Sequence, residues 1–347
     1  MRVAVTGATG MIGTAVVRAL IDRGDQVVPL TRSAARARSV LGSGVKPHEW
    51  PSPEEGPPPP AALDGADGVI HLLGEPIAQR WSEQAKRKIR DSRVLGTRQL
   101  VAGIAAVPQD RRPRTLVSQS AAGYYGPRGD ERLDENAGPG NDFLADVTSA
   151  WECEAMAGAD GMAGADGVAG ADGVAGADGV GGADGVAGVG GDPTRGDPTR
   201  GDPTRVVLTR TGVVIASRGG ALARMLPPFK LGVGGPVAGG RQYVSWIHLD
   251  DVVGAILHVL DDSRATGPVN LTAPEPVTNA ELSRALGHVL HRPAVLPVPG
   301  AILQLMYGEM ASVVLTGQRV VPRRLIELGF EFRHPELEAA LTDVLRR

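Results

Sequence analysis

The sequence predicts an α/β fold: a doubly wound parallel sheet with a smaller, helix-rich C-terminal region on the substrate side and a low-complexity Gly-rich insertion. Three observations carry this expectation. Short apolar runs alternate with segments of helical periodicity through most of the chain, which makes the strands parallel and puts helices on both faces of the sheet. The first run, Met1–Thr6, enters a glycine-rich turn, Gly7-Ala8-Thr9-Gly10-Met11-Ile12-Gly13, that opens a helix. From about residue 268 the alternation gives way to successive helices.

Each element has its own signal. After the turn, Ile12, Val16, Val17, Leu20 and Ile21 recur at helical spacing, and Gly24 is placed to end that helix. Gln26–Thr31 is a second apolar strand. Residues 33–62 read as a loop, because Pro51-Ser52-Pro53 and Pro57–Pro60 oppose regular structure. Asp67–Leu73 reads as a buried strand ending in Gly74-Glu75, and Ser82 caps a helix over Glu83–Val101. Arg114–Ser118 is the next strand, followed by a polar loop over 127–142 and a helix over Phe143–Ala157. Val206–Ile215 is β-rich, Ala221–Leu226 helix-like, Tyr243–Ile247 strand-like, and Leu249–Leu260 a helix. Val269–Leu271 is a strand, after which Thr278 and Glu281 form a capping-box signature. The organisation this predicts is a cofactor domain over 1–157 and 206–267, an insertion over 158–205, and a C-terminal region over 268–347.

The glycine turn carries the chemistry. A strand, a turn of this type, a helix and a second strand together make a Rossmann-type dinucleotide site, in which Gly7 permits the tight turn, Gly10 lets the backbone approach a pyrophosphate, and Gly13 lets helix and strand pack closely. The N–H groups at the helix start, from Gly10, Met11 and Ile12, face the phosphates, with Thr9 beside them. An NAD site carries an acid at the end of the second strand, on the ribose hydroxyls. Here that position reads Leu30-Thr31-Arg32-Ser33, and Asp25 is at the wrong end of the strand. Arg32 suits a 2′-phosphate, with Ser33 as a hydrogen-bond donor and Arg36 or Arg38 nearby, so the expected cofactor is NADP(H). Gly74 and Glu75 follow the third strand, where the backbone passes the cofactor ribose.

Composition narrows the remaining classes. The 347 residues are 42% hydrophobic with a formal net charge of −3, and no basic arm or aromatic-studded stripe suggests nucleic acid. Cys153 is the only cysteine, which rules out an intrachain disulfide and a cysteine zinc cluster, and the histidines lack metal-ligand spacing, so no metal is expected. No apolar run approaches the ~20 residues of a membrane span. With no signal peptide before the first strand, a cytoplasmic protein is expected, its partner a small-molecule substrate, with neither nucleic acid nor membrane. Residues 158–205 stand apart: glycine recurs every third residue from Gly158 to Gly191, and GDPTR then appears three times, ending at Arg205. Gly158–Gly191 contains no proline, which argues against a collagen helix, and such a segment is too poor in large apolar groups to offset its ordering entropy. It is expected to be a flexible insertion.

Several segments resemble one family. The turn TGATGMIG resembles that of extended short-chain dehydrogenases/reductases. Trp81, Ile89–Val94 and Gly96-Thr97, the run Ser118–Gly126, Asp142–Ala145 with Trp151-Glu152, Leu208–Val214, and Trp246–His248 with Asp250-Asp251 resemble the atypical "epimerase family protein" group, sometimes labelled SulA-type cell-division inhibitors. The tail, Gly308–Ala311 with Gly317–Val320 and Pro322, resembles that group's own C-terminal segment. The resemblance implies NADP-type binding and an oxidoreductase or epimerase reaction on a small hydroxyl- or carbonyl-bearing molecule. It also implies a monomer, or a homodimer paired through the helices at Glu83–Val101 and Phe143–Ala157.

One departure bears on that chemistry. Active members of the superfamily use a Tyr followed four residues later by a Lys, whereas the matching helix begins Asp142-Phe143-Leu144-Ala145-Asp146-Val147-Thr148, and no lysine occurs between Lys88 and Lys230. Ser120, Tyr124 and Tyr125 follow the central strand and are the candidate catalytic residues: Ser120 to orient the substrate oxygen, Tyr124 or Tyr125 to handle the proton, and Arg210 to tune the phenol. Arg93 either faces the pocket or pairs with an acid, Asp250 caps a helix, and His248 is a further acid/base candidate. The alternative to an enzyme is a cofactor-binding regulatory or division-associated protein without turnover.

Overall fold

A computed structural model describes residues 1–42, 44–158, 203–217 and 219–346. Most of the segment read as an insertion lies outside the described residues. In chain order the strands are β1 Arg2–Thr6, β2 Gln26–Thr31, β3 His48–Glu49, β4 Gly68–His71, β5 Thr115–Ala121, β6 Arg132–Leu133, β7 Arg205–Thr211, β8 Val213–Ile215, β9 Tyr243–Val244, β10 Trp246–His248, β11 Gly267–Leu271, β12 Val277–Thr278 and β13 Arg319–Val320. The helices are α1 Met11–Asp22, α2 Ala34–Leu41, α3 Pro60–Leu63, α4 Glu83–Ala105, α5 Phe143–Met156, α6 Gly220–Lys230, α7 Leu249–Asp261, α8 Asn279–Leu290, α9 Gly300–Tyr307, α10 Ser312–Leu315, α11 Arg323–Glu327 and α12 Leu337–Arg346.

The main sheet has seven parallel strands in the order β11-β7-β5-β4-β1-β2-β3. The chain reverses its direction of travel between β1 and β4, and ligands bind at that switch point in open α/β sheets. Period-two alternation in the strands builds the two layers. Val3 and Val5 of β1 join Val16, Val17 and Leu20 of α1 and Ile256 and Leu260 of α7 on one face. Ala4, Val28 and Leu30 join Leu100, Val101 and Ile104 of α4 on the other. A second core unites Leu222, Leu226 and Phe229 of α6, Trp246, Leu282 and Leu286 of α8, and Leu341 and Val344 of α12.

The structure revises several expected boundaries. Residues 33–62 are not a continuous loop: they hold α2, β3 and α3. Ser33 Oγ accepts from Arg36 N and caps α2, whose Ala- and Arg-rich sequence favours helix, and Pro60 opens α3 where a missing N–H costs nothing. The β-rich run Val206–Ile215 is two strands, β7 and β8, separated at Gly212, where a Cβ would lie 2.3 Å from Ser245 O. Strand β7 starts at Arg205, so the arginine of the last repeat belongs to the sheet. Its guanidinium donates to the carbonyls of Val259 and Leu260 in the last turn of α7 and of Ala265 in the segment after it. α6 continues through Pro227 and Pro228 to Lys230, beyond the expected stop at Leu226. Ile21, expected on the buried face of α1, is exposed.

Candidate active site

The glycine turn packs as its spacing requires. Gly7 has φ +62°, and a Cβ there would lie 2.3 Å from Leu72 O, so this residue lets the turn meet the end of β4. A Cβ on Gly13 would lie 2.2 Å from Gly7 O, so only glycine lets α1 start this close to the turn. α1 begins at Met11 behind Gly10, with no side chain capping it and no acid in its first turn. Its N-terminal dipole end is therefore open to an anion. Thr9, Met11 and Ile12 are half-buried beside it, and Met11 Sδ approaches Gly219 and Gly220 at the start of α6.

The second half of this site is the end of β2. Arg32 is exposed and forms no ion pair with a described residue; Arg36 and Arg38 on α2 are likewise exposed and unpaired among the described residues. Ser33 Oγ accepts the capping N–H, which leaves its own hydrogen available to donate. Glu49 Oε1 accepts from Ala34 N at 2.9 Å, so one acid already occupies part of the α2 terminus. The donor set of open helix terminus, cations and hydroxyl, with a backbone that leaves no room for a Cβ, fits a phosphorylated dinucleotide.

The end of β4 braces this region. His71 is fully buried between Thr6 Oγ1 at 2.8 Å and Thr97 Oγ1 at 2.9 Å, and Leu72 N donates to Thr6 Oγ1. Burial pushes the His71 pKa down to about 3, so the ring is neutral and serves as a strut between β1, β4 and α4. Glu75 N donates to Ser92 Oγ, and Arg93 donates to the carbonyls of Glu75 and Ile89. Gly74 makes room for that guanidinium, whose pKa burial lowers to about 10 against the pull of Glu75. Arg93 therefore holds the Gly74-Glu75 backbone rather than forming a surface ion pair.

From the end of β5, which runs on through Ser120 to Ala121, a buried polar chain stands where the superfamily's dyad is missing. Ser120 Oγ donates to Glu152 Oε1 at 2.6 Å. Arg210 donates to both oxygens of Glu152 at 2.8 Å and to Tyr125 Oη at 3.0 Å. Tyr125 Oη donates to Asn270 Oδ1 at 2.7 Å, and Asn270 Nδ2 donates to Val321 O. Tyr125 is fully enclosed, and burial pushes its phenol up to about 12 despite the opposing Arg210. Burial lowers the Arg210 pKa, but the hydrogen bonds and charge of Glu152 outweigh it and hold the group above its ordinary value. Tyr124 differs: its ring is half-buried, lies 3.5 Å from the Arg210 guanidinium carbon, and its hydroxyl makes no hydrogen bond to a described residue. On α5, Thr148 Oγ1 bonds back to Leu144 O, so it offers no substitute acid or base.

Sequence reasoning missed Glu152 and Asn270. A signal for Glu152 existed, because it shares the helix face of Thr148, Trp151 and Ala155, and a buried acid requires a buried cation. His248 belongs to another cluster. It, not Asp250, caps α7: Nδ1 accepts from Asp250 N at 3.0 Å. The neutral ring then carries its proton on Nε2, 3.2 Å from Asp343 Oδ2, and stacks on His334 at 3.8 Å. Donor atoms of His248, Asp250, His334 and Asp343 lie within 4.8 Å of one another, but that tautomer gives Nε2 no lone pair for a cation. Burial and His334 both lower the His248 pKa.

Comparison with known proteins places this geometry. Residues 3–165 match the model of the NAD dependent epimerase/dehydratase family, and residues 298–344 match a domain of unknown function, DUF1731. The Arabidopsis thaliana chloroplastic SDR39U1 homolog is 36% identical over 354 residues, covering 100% of this chain and 87% of that protein. The chain belongs to the SDR39U1-type epimerase family proteins. Within this family, an epimerase family protein of Mycobacterium tuberculosis is 36% identical over 98% of the chain. The crystal structure of human SDR39U1 with NADPH superposes with a TM-score of 0.77 at 31% identity, covering 100% of this chain and 99% of that one. The family's C-terminal domain corresponds to α9 through α12, the region that meets the buried chain at Asn270 through Val321. Among the described residues no helix is long and apolar enough to cross a membrane.

Proposed function

We propose that this protein is an NADP(H)-dependent oxidoreductase acting on a small hydroxyl- or carbonyl-bearing substrate. The observation that carries the cofactor assignment is the conjunction of an uncapped α1 start behind Gly7, Gly10 and Gly13 with the unpaired Arg32 at the end of β2. The human relative solved with NADPH supports it. Arg32, with Ser33 and Arg36, takes the 2′-phosphate; the α1 terminus takes the pyrophosphate; the Gly74-Glu75 backbone borders the ribose. NADPH supplies a hydride when bound. The sheet lobe carries the cofactor, and the lobe of α6, α8 and α12 faces the substrate.

The chain's own residues supply the proton and the shape. Tyr124 is the proton-handling group in this reading, because its hydroxyl alone among the three candidates is not held by another side chain. Ser120 and Tyr125 act as positioning residues: both hydroxyl hydrogens are committed within the buried chain, which fixes Arg210 under the Tyr124 ring. The same commitment favours a second reading, a cofactor-binding regulatory protein without turnover. Fluorescence titration with NADPH and NADH, on wild type and Arg32→Ala, tests the first claim. Selective NADPH binding that weakens in the variant supports it, and equal binding of both cofactors removes it. A carbonyl-substrate screen on wild type and Tyr124→Phe then separates enzyme from regulator.

A further inference from the structure

One lobe of the molecule exposes apolar side chains in a concentration that folding alone does not account for. Residues 293–308 carry no charged side chain. Helix α9 lies within them and buries no residue in either core. Leu305 is 80% exposed and Val295 76%, with Leu296 and Met306 at half or more. Leu231 is 77% exposed just after α6, and Val233 follows it. These segments are contiguous. Gly232 lies against Pro293, Gly235 against Leu296, Val237 pairs with Val298, and Gly300 packs on Ala238 and Leu315. Large contiguous apolar patches on a folded surface mark an interaction site.

The surrounding charge selects the partner. Lys230, Arg241 and Arg292 border the lobe, all exposed and without an ion pair to a described residue. The nearby acid Glu309 is already taken by Lys86 at 2.5 Å. We propose that this lobe docks on an anionic lipid bilayer, with α9 lying in the headgroup plane. Eight residues of helix reach about 12 Å, far short of a span, so the contact is interfacial. A second copy of the chain fits less well, because a two-fold contact through this face would oppose the unpaired cations to one another. The expectation of no membrane partner rested on the lack of a spanning segment, and an interfacial contact needs none.

Co-sedimentation of the full chain with phosphatidylcholine vesicles, with and without phosphatidylglycerol, tests this. The expected result is binding to the anionic vesicles that falls roughly tenfold in the Leu305→Glu/Met306→Glu double variant. Binding should also fall with added salt and about fivefold for each of Lys230→Ala and Arg292→Ala. All four side chains are exposed, so thermal melts like wild type will show that the variants fold. Wild-type protein that stays in the supernatant overturns the proposal, as does equal binding by the double variant. A concentration-dependent dimer in sedimentation velocity, lost in the double variant, would assign the face to a second copy instead.

Discussion

Two corners of the same sheet edge are built on opposite principles. At the ends of β1 and β2, polar groups are left open: the α1 terminus has no cap, and Arg32 and Arg36 pair with no described residue. At the ends of β5 and β7, polar groups are closed on one another from Ser120 through Glu152, Arg210 and Tyr125 to Asn270. Open groups are available to a ligand, and closed groups hold a shape. The Tyr–Lys dyad of the wider superfamily is missing from this corner, and the one candidate hydroxyl left out of the closed chain is that of Tyr124, the proton-handling group in the proposed reading.

The sharpest way to break this contrast is to remove Glu152. Glu152→Ala leaves Arg210 buried and unpaired, and denaturant unfolding should show a loss of about 3–5 kcal/mol. Retention of full stability would mean that the corner is not closed. Next in size, Tyr124→Phe should lower turnover of any identified substrate by roughly 10²–10⁴-fold while leaving NADPH affinity and stability near wild type. Arg32→Ala should weaken NADPH by roughly 10–100-fold and leave NADH unchanged, the loss of one charge-assisted contact. Tyr125→Phe should do the reverse of Tyr124→Phe: about 1–3 kcal/mol of stability lost, because Arg210 and Asn270 lose a partner, with cofactor affinity retained.

The last prediction concerns pH, and its size grows with the distance below neutrality. The buried His71 pKa lies at about 3, below the ordinary 6.5 of the unfolded chain. The unfolded state therefore binds the extra proton between these values. Stability is complete above about pH 6.5 and falls by about 1.4 kcal/mol per pH unit below it, until the folded pKa is reached. Unfolding curves across that window should be shallower in His71→Gln by this slope. An unchanged slope would show that the histidine is not enclosed as a neutral strut.

The legibility of each corner follows from its chemistry. The glycine turn, the α1 periodicity and the capping box at Thr278 and Glu281 are encoded within a few residues, and each forms as read apart from Ile21, which turns outward. Helix α2 escaped notice because the prolines further along obscured the short helix that Ser33 caps. Arg210 was read as a tuner of the phenols, and it does reach both tyrosine rings. Its commitment to Glu152 could not be read, because the two are 58 residues apart on different elements.

The sequence by itself determined the α/β class, the dinucleotide turn and the missing dyad, because these depend on local periodicity, on backbone room at single glycines, and on residue identity. The tertiary structure decided which hydroxyls are closed and which are open, that His248 rather than Asp250 caps α7, and that an uncharged lobe faces outward. Those depend on partners brought together across the sheet or across lobes, and burial sets their cost and their protonation only once the chain has folded.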